Sequence, residues 1–521
     1  MMVLGIDVGT GGTRALLIDE HGCVVCSATS EHAPILCSRP GWAEQEPADW
    51  WRAALEAIRT CIAKSGTNPR EILGVGLSGQ MHGMVLLDAN GEVLRPSIIW
   101  CDQRTEEQAK AITARVGADE LIHLTANPAL TNFTLTKLWW VRQHESEVWR
   151  QIRSLLLPKD YVRFRLTGAK ATDVADASGT LLLDVARRQW SQAMLEISDI
   201  DASILPQLFE SQEITGKISV EAAKLTGLLQ GTPVIAGAGD QAAGAIGMGI
   251  VQPGSVNAII GSSGVVFAAT DAPCIDPKGR LHTFCHAIPN RWHVMGVTQA
   301  AGLSLHWFRS QFGTISSNGS NQYESLIKEA SGIPAGAEGL LWAPYLLGER
   351  TPHLDPEARG ALFGLTVRHT RGHIIRAILE GVAFSLRDTL TILGELNIPA
   401  RSIRLGGGGA RAPLWRQIQA DIYGMPVDLL EAEEGAAFGA ALLASVGTGI
   451  WPDVDAACKT AVRVAERIKP DAKTVSLLDR QYAVYQKLYP ALRQISHEVH
   501  ALQIQEVADY QVESAAPIRS A

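Results

Sequence analysis

Two aspartates and three glycine turns hold the residues whose types and spacing could do chemistry. Asp7 ends the apolar run Val3-Leu4-Gly5-Ile6 and is followed at once by Gly9-Thr10-Gly11-Gly12-Thr13 and Arg14. Asp240 follows Pro233-Val234-Ile235-Ala236 within Gly237-Ala238-Gly239-Asp240-Gln241. A carboxylate at a strand end beside glycines is placed to hold a metal or to take a proton. The plainer reading of each is an aspartate that caps a turn. The other two turns are Gly261-Ser262-Ser263-Gly264 and Gly406-Gly407-Gly408-Gly409. Glycine amides can close on a phosphate because no side chain stands in the way. A tight hairpin without a ligand is the alternative for any single turn. Two common nucleotide motifs are excluded. No G-x-x-x-x-G-K-[ST] string occurs, and a dinucleotide fingerprint needs a helix where Arg14-Ala15-Leu16-Leu17-Ile18 begins another strand.

These residues need rigid elements behind them. The opening reads as a β-hairpin, with two apolar runs around a glycine turn. A helix is expected over 47–63 and a buried strand over 72–77. The pattern recurs downstream: Ser255-Val256-Asn257-Ala258-Ile259-Ile260 runs into the second glycine turn and then into Val265-Val266-Phe267. This echo predicts two α/β halves, with Asp7 and Asp240 in equivalent places, facing each other across an interdomain cleft. Further on, helices are expected over 366–396, over 413–423, where Pro413 suits a first helical position, and over 434–446. The expected division is 1–251, 252–447 and a helical extension with a loosely held tail over 448–521.

Composition narrows the class. A chain of 521 residues at roughly 100–200 per domain predicts two large domains. With 46% hydrophobic residues the chain is not intrinsically disordered. A net charge of −8 gives no basic surface for nucleic acid. The start lacks the basic flank of a signal peptide, and the weakly polar stretch 234–251 is interrupted by Asp240 and Gln241, so no membrane segment is expected. The eight cysteines are scattered, and Cys23 and Cys26 have no second pair at metal spacing, which fits reduced thiols in the cytoplasm.

Read together and in order, these motifs resemble the FGGY carbohydrate kinases, a branch of the actin-like ATPase superfamily. The resemblance covers about residues 2 to 490. It is carried by Gly5-Ile6-Asp7-Val8-Gly9-Thr10, Gly79-Gln80-Met81-His82-Gly83, Trp100-Cys101-Asp102-Gln103-Arg104, Thr136-Lys137-Leu138-Trp139-Trp140, Leu157-Pro158-Lys159-Asp160-Tyr161, Gly239-Asp240-Gln241, Gly360 to Leu365, Leu379-Glu380-Gly381 and Gly406 to Arg411. It implies two ribonuclease-H-like α/β domains around the cleft, with ATP and Mg²⁺ as cofactors and a small sugar as the acceptor. A homodimer is compatible with it.

The roles that follow from the resemblance are these. Asp240 would be the general base, and Asp7 would orient Mg²⁺ through water. Thr10, Gly11, Thr13 and Arg14 would form the first phosphate loop, and Gly261, Ser262 and Ser263 the second. Gly407, Gly408 and Gly409 would border the α-phosphate and nucleoside. Met81, His82, Asp102, Arg104, Asp240 and Gln241 would line the sugar pocket. Lys137 and Glu380 read as structural ion partners, and Trp139 and Trp140 as packing. The acceptor implied first is the C5 hydroxyl of D-xylulose, ahead of other ketopentoses and polyols. A non-catalytic ATP-binding regulator is the rival from another class. Gln241 after the aspartate also occurs in the family's glycerol enzymes, whereas Gln80-Met81-His82-Gly83 argues against glycerol. Asn132 replaces the usual aromatic or small residue of its signature.

Overall fold

The computed structural model describes residues 1–313, 322–431 and 434–515, with side chains described through residue 503. The chain forms two compact units. The first holds Met1–Ser255, Phe267–Val294 and Leu430–Ala465; the second holds Val256–Val266, Met295–Leu429 and the residues from Glu466 on.

The first unit is built on a seven-stranded sheet. Strands β1 (Met2–Val8) and β2 (Gly12–Asp19) form the expected antiparallel hairpin, and β3 (Val24–Glu31) extends it. On its other edge β1 pairs in parallel with β4 (Ile72–Gly79), which pairs in turn with β5 (Pro233–Ile235) and with the short β6 (Ala238–Gly239). Parallel neighbours are covered on both faces, so their sequences are apolar without alternation. Val3, Leu4, Ile6 and Val8 are all fully buried. Helix α1 (Pro47–Ser65) covers one face with Trp50, Ala54, Ala57, Ile58 and Cys61, an apolar stripe at helical spacing. It starts on Pro47 and stops at Gly66, which is left-handed at φ 64°.

Helix α6 (Gly435–Gly447) belongs to the first unit, although it falls inside the expected 252–447 segment. It lies on β1 and β4, where a Cβ on Gly5 would overlap the carbonyl oxygen of Ala437 and one on Gly76 that of Ala440. Its other side meets α3 (Asp240–Gly247), where Gly439 lies against the carbonyl of Ala243. Glycine is required where backbone touches backbone. A helix in which eight of thirteen residues are Gly or Ala is thereby drawn into the first unit, although it follows most of the second in sequence.

In the second sheet, strands β8 (Gly264–Thr270), β7 (Ser255–Ile260), β9 (Ser402–Gly407) and β10 (Val427–Leu430) lie side by side in that order. The strand, glycine turn, strand echo is therefore real. Helix α5 (Pro413–Tyr423) opens at Pro413 as expected. The long helix α4 (Arg371–Glu395) begins five residues later than its apolar pattern, because Thr370 and His373 form a capping box. Helix α2 (Thr134–His144) belongs to the first unit and carries Lys137. All eight cysteines are free thiols. Among the described residues no helix is long and apolar enough to cross a membrane.

Candidate active site

Asp7 and Asp240 lie in the same unit, which corrects the expectation that they face each other from echoed halves. Asp7 stands opposite Arg14 on β2 and beside Ser78 on β4. The Ser78 hydroxyl donates to Asp7 Oδ1 at 2.5 Å. On the far edge of β4, Ala238 and Gly239 pair with Ser78 and Gly79, and Asp240 follows as the first residue of α3. The echo misleads because Asp240 comes late in sequence, yet β6 returns to the first sheet.

Burial sets the chemistry of both carboxyls. Asp7 is pushed above the usual carboxylate range by desolvation, against the pull of the Ser78 hydrogen bond and the Arg14 charge. Asp240 is raised to about 7, first by desolvation and then by the neighbouring charge of Asp7; hydrogen bonds from the side chain and N–H of Gln241 oppose the shift. A carboxyl that changes state near neutral pH is suited to general-base work. Two neighbouring desolvated carboxylates also fit a divalent cation. Among the described residues no three acidic, His or Cys groups converge on a cage. That donor set suits Mg²⁺, which keeps several waters and takes one or two carboxylates together with phosphate oxygens.

The first glycine turn is closed by the Gly9 N–H donating to the Gly12 carbonyl at 3.0 Å. Its tip is open: a Cβ on Gly11 would meet nothing within 4 Å. Thr10 is braced from behind, its carbonyl accepting from Gln45 Nε2 at 2.8 Å and its hydroxyl from Trp100 Nε1 at 3.0 Å. Thr13 departs from its expected place among the phosphate contacts. It is fully buried and bonded to His32 Nε2 at 2.9 Å, because alternation along β2 turns it to the sheet's inner face. Arg14 faces Asp7 and is ion-paired with Glu434, whose carbonyl also accepts from it at 3.2 Å. Neither His32 nor Glu434 carried a sequence signal.

The second unit holds the other two turns. The Gly261 N–H donates to the Ser263 carbonyl at 2.9 Å, while the carbonyls of Gly261 and Ser262 receive the N–H groups of Gly302 and Leu303 at a helix start. Gly261 and Ser262 are left exposed. In the third turn the glycines do different work. Gly407 has φ 72°, and a Cβ there would stand 2.6 Å from the Ile260 carbonyl oxygen. One on Gly409 would stand 2.6 Å from Ile260 Cβ. Gly408 is exposed, and its nearest neighbour would be 3.6 Å away. Two glycines carry the chain over Ile260, and the middle one leaves a cradle open to a ligand.

Met81 and His82 are buried at the foot of Asp240. A Cβ on Gly239 would come within 2.7 Å of Met81 Cγ. His82 sits at φ 67°, with Nδ1 at 2.9 Å from the Gly179 carbonyl and Nε2 at 3.3 Å from Asn132 Nδ2. A carbonyl only accepts, so Nδ1 carries the proton and Nε2 accepts from the amide. Asn132 is therefore part of the site, and its Oδ1 is buried without a partner. The departure from the signature at position 132 was its signal.

Asp102 and Arg104 are placed differently from expectation. The Asp102 carboxylate accepts from the Ala43 N–H at 2.6 Å and from Arg104, whose guanidinium also reaches Glu44 at 2.7 Å and lies 3.7 Å over the Trp42 ring. Both are buried and bound to each other, so they brace the pocket's loops. Lys137 also differs from a structural ion partner. Its Nζ donates to the carbonyls of His82, at 3.1 Å, and Asn132, and among the described residues no carboxylate lies within ion-pair distance. Burial lowers its pKa to about 7, against the pull of Asp102. Glu380 pairs with Arg376 at 2.6 Å.

Residues 2–247 match the FGGY family of carbohydrate kinases, N-terminal domain, and residues 256–448 its C-terminal domain. The chain is 40% identical to the xylulose kinase of Bacillus subtilis over 94% of its own length and 96% of that protein. It is 39% identical to the xylulose kinase of Escherichia coli, over 94% and 99%. A solved xylulose kinase from Rhodospirillum rubrum superposes with a TM-score of 0.89 at 32% identity, covering 95% of this chain and all of that one. The chain belongs to the FGGY family of carbohydrate kinases.

Proposed function

We propose that the protein transfers the γ-phosphoryl group of ATP to the C5 hydroxyl of D-xylulose, in the cytoplasm, with Asp240 as the general base. The observation that carries this is the carboxyl at about 7 on the first residue of α3, with Met81 packed beneath it. The similarity to xylulose kinases over almost the whole chain supports the acceptor.

Asp240 takes the proton of the acceptor hydroxyl as the new P–O bond forms and the bond from the γ-phosphorus to the β–γ bridging oxygen breaks, with ADP as the leaving group. Positioning and charge compensation contribute most of the remaining rate in such a transfer. In the first unit Thr10 and Gly11 offer donors to phosphate oxygens; in the second, Ser262 and Ser263 offer donors and Gly408 leaves room for the nucleotide. Arg14 exchanges its Glu434 partner for a phosphate. Asp7 would hold Mg²⁺ through water, and the ion would supply compensation for phosphate charge. Met81, His82, Gln241 and the unpartnered Asn132 oxygen shape the acceptor's side, while Asp102 and Arg104 hold the loops behind it. An ADP-release assay across D-xylulose, D-ribulose, gluconate and glycerol tests the reading. Preference for D-xylulose by orders of magnitude is expected, and equal use of glycerol would leave only the family-level activity.

A further inference from the structure

We propose that Lys137 is the positioning residue of the acceptor pocket: with the Thr134 hydroxyl it holds the carbonyl of His82 and so fixes the Met81–His82 turn beneath Asp240. This rests on the reading that Met81 and His82 contact the acceptor.

His82 is a buried, non-glycine residue in the left-handed region. Such a conformation is uncommon and persists where the surroundings enforce it. Two donors converge on its carbonyl oxygen, Lys137 Nζ at 3.1 Å and Thr134 Oγ1 at 3.2 Å. The turn is closed by the Gly83 N–H on the Met81 carbonyl at 2.8 Å. Lys137 also donates to the Asn132 carbonyl, and the side chains of Asn132 and His82 bond each other. One amine therefore ties both segments that bear the pocket's polar groups. Helix α2 supplies both donors, from residues three apart on one face.

The choice of residue supports a geometric role. Lys137 is fully buried and bonds neutral carbonyls, an expensive environment for an amine. An apolar side chain of similar length would fill the same space without that cost. What it could not do is direct hydrogen bonds at two carbonyls 50 residues apart in sequence.

Three variants test the proposal. Thr134→Val keeps shape and removes one donor, Thr134→Ser keeps the donor, and Lys137→Met removes the amine. Each is measured by amide hydrogen exchange over residues 79–84 and by the KM values for D-xylulose and ATP. Thr134→Val and Lys137→Met should speed exchange in that segment and raise KM for D-xylulose about tenfold, with KM for ATP and kcat changed less than about twofold. Thr134→Ser should behave as the wild type. Unchanged exchange in a folded Thr134→Val protein overturns the proposal, which keeps it testable if Lys137→Met fails to fold. So does an equal rise in both KM values, which marks general loosening. Met81→Ala serves as the separate check on the pocket itself. If it also leaves the D-xylulose KM unchanged, the acceptor reading has failed rather than the role of Lys137.

Discussion

Asp7 and Asp240 are carried by strands that pair with the same two residues of β4, Ser78 and Gly79, from opposite edges. Asp7 pairs across to Ser78 from β1, and β6, which delivers Asp240, pairs with Ser78 and Gly79 from the other side. The two carboxyls share one rigid support, and the charge of one raises the pKa of the other.

Replacing the base isolates its contribution. Asp240→Asn keeps size and hydrogen bonding, and it removes a desolvated charge, so folding and ATP binding should persist. Turnover should fall by about 10² to 10⁴, the range for a positioned acid or base. Near-normal kcat in single-turnover measurements would remove Asp240 from the chemistry.

The pH profile follows from the same carboxyl. Asp240 acts when deprotonated, so kcat/KM for the sugar should lose about tenfold per unit below its pKa, with the acid limb near 7 in the free enzyme. Asp7→Asn removes the neighbouring negative charge, and the limb should then move to lower pH, whatever the residual rate. A limb that stays in place would show that Asp7 does not act on Asp240.

The glycine turn of the second unit separates into two kinds of substitution. Gly408→Val adds a side chain where the protein leaves room, so the melting temperature should hold while ATP affinity falls at least tenfold by calorimetry. Gly409→Ala sets a methyl against Ile260, and overpacking of this kind costs about 1–3 kcal/mol. It should lower stability first. The reverse pattern would assign the open cradle to the wrong glycine.

Buried histidines predict acid sensitivity. His286 Nε2 donates to the Ile250 carbonyl at 2.9 Å, and burial lowers its pKa to about 4. His293 stacks on Phe267 at 4.1 Å, and burial holds it well below the usual imidazole range. Both are neutral when folded, whereas in the unfolded chain they bind protons near pH 6.5. Their contribution is complete above that pH and is lost as pH falls from about 6.5 toward 4. Each then removes about 1.4 kcal/mol per pH unit. His293→Phe keeps the ring stack and should flatten the decline in urea midpoint between pH 7 and 5. An unchanged slope would place the acid response elsewhere.

Local order was legible where local forces decide it. The hairpin of β1 and β2, the start of α5 at Pro413 and the glycine-rich turns follow from apolar runs and turn chemistry, with no help from distant residues. Asp7 and Asp240 were legible as chemistry, but not their shared strand, since β6 joins β4 across more than 150 intervening residues. Thr10 and Thr13 look alike in sequence, and one step of strand alternation turns Thr13 into the sheet while the Thr10 hydroxyl stays at the hairpin. Asp102 and Arg104 read as pocket residues because they are polar in a family motif. Their mutual ion pair, closed over by Trp42, depends on packing that no motif records. Lys137 was misread for the converse reason: burial made a charged residue a donor to neutral carbonyls.

The Gly–Ala seam between α6, β1 and β4 has a consequence for how the chain is made. The backbone of Ala437 and Ala441 closes on Gly5 of β1, and that of Ala440 on Gly76 of β4. During synthesis the first unit must wait, with its glycine groove uncovered, until most of the second has left the ribosome. A fragment ending at residue 251 would therefore lack its own lid over β1, and coexpression with a separate 430–465 peptide should restore its solubility where the fragment alone aggregates. Long-range closure of this kind also slows folding, because loop entropy is paid before the contact forms.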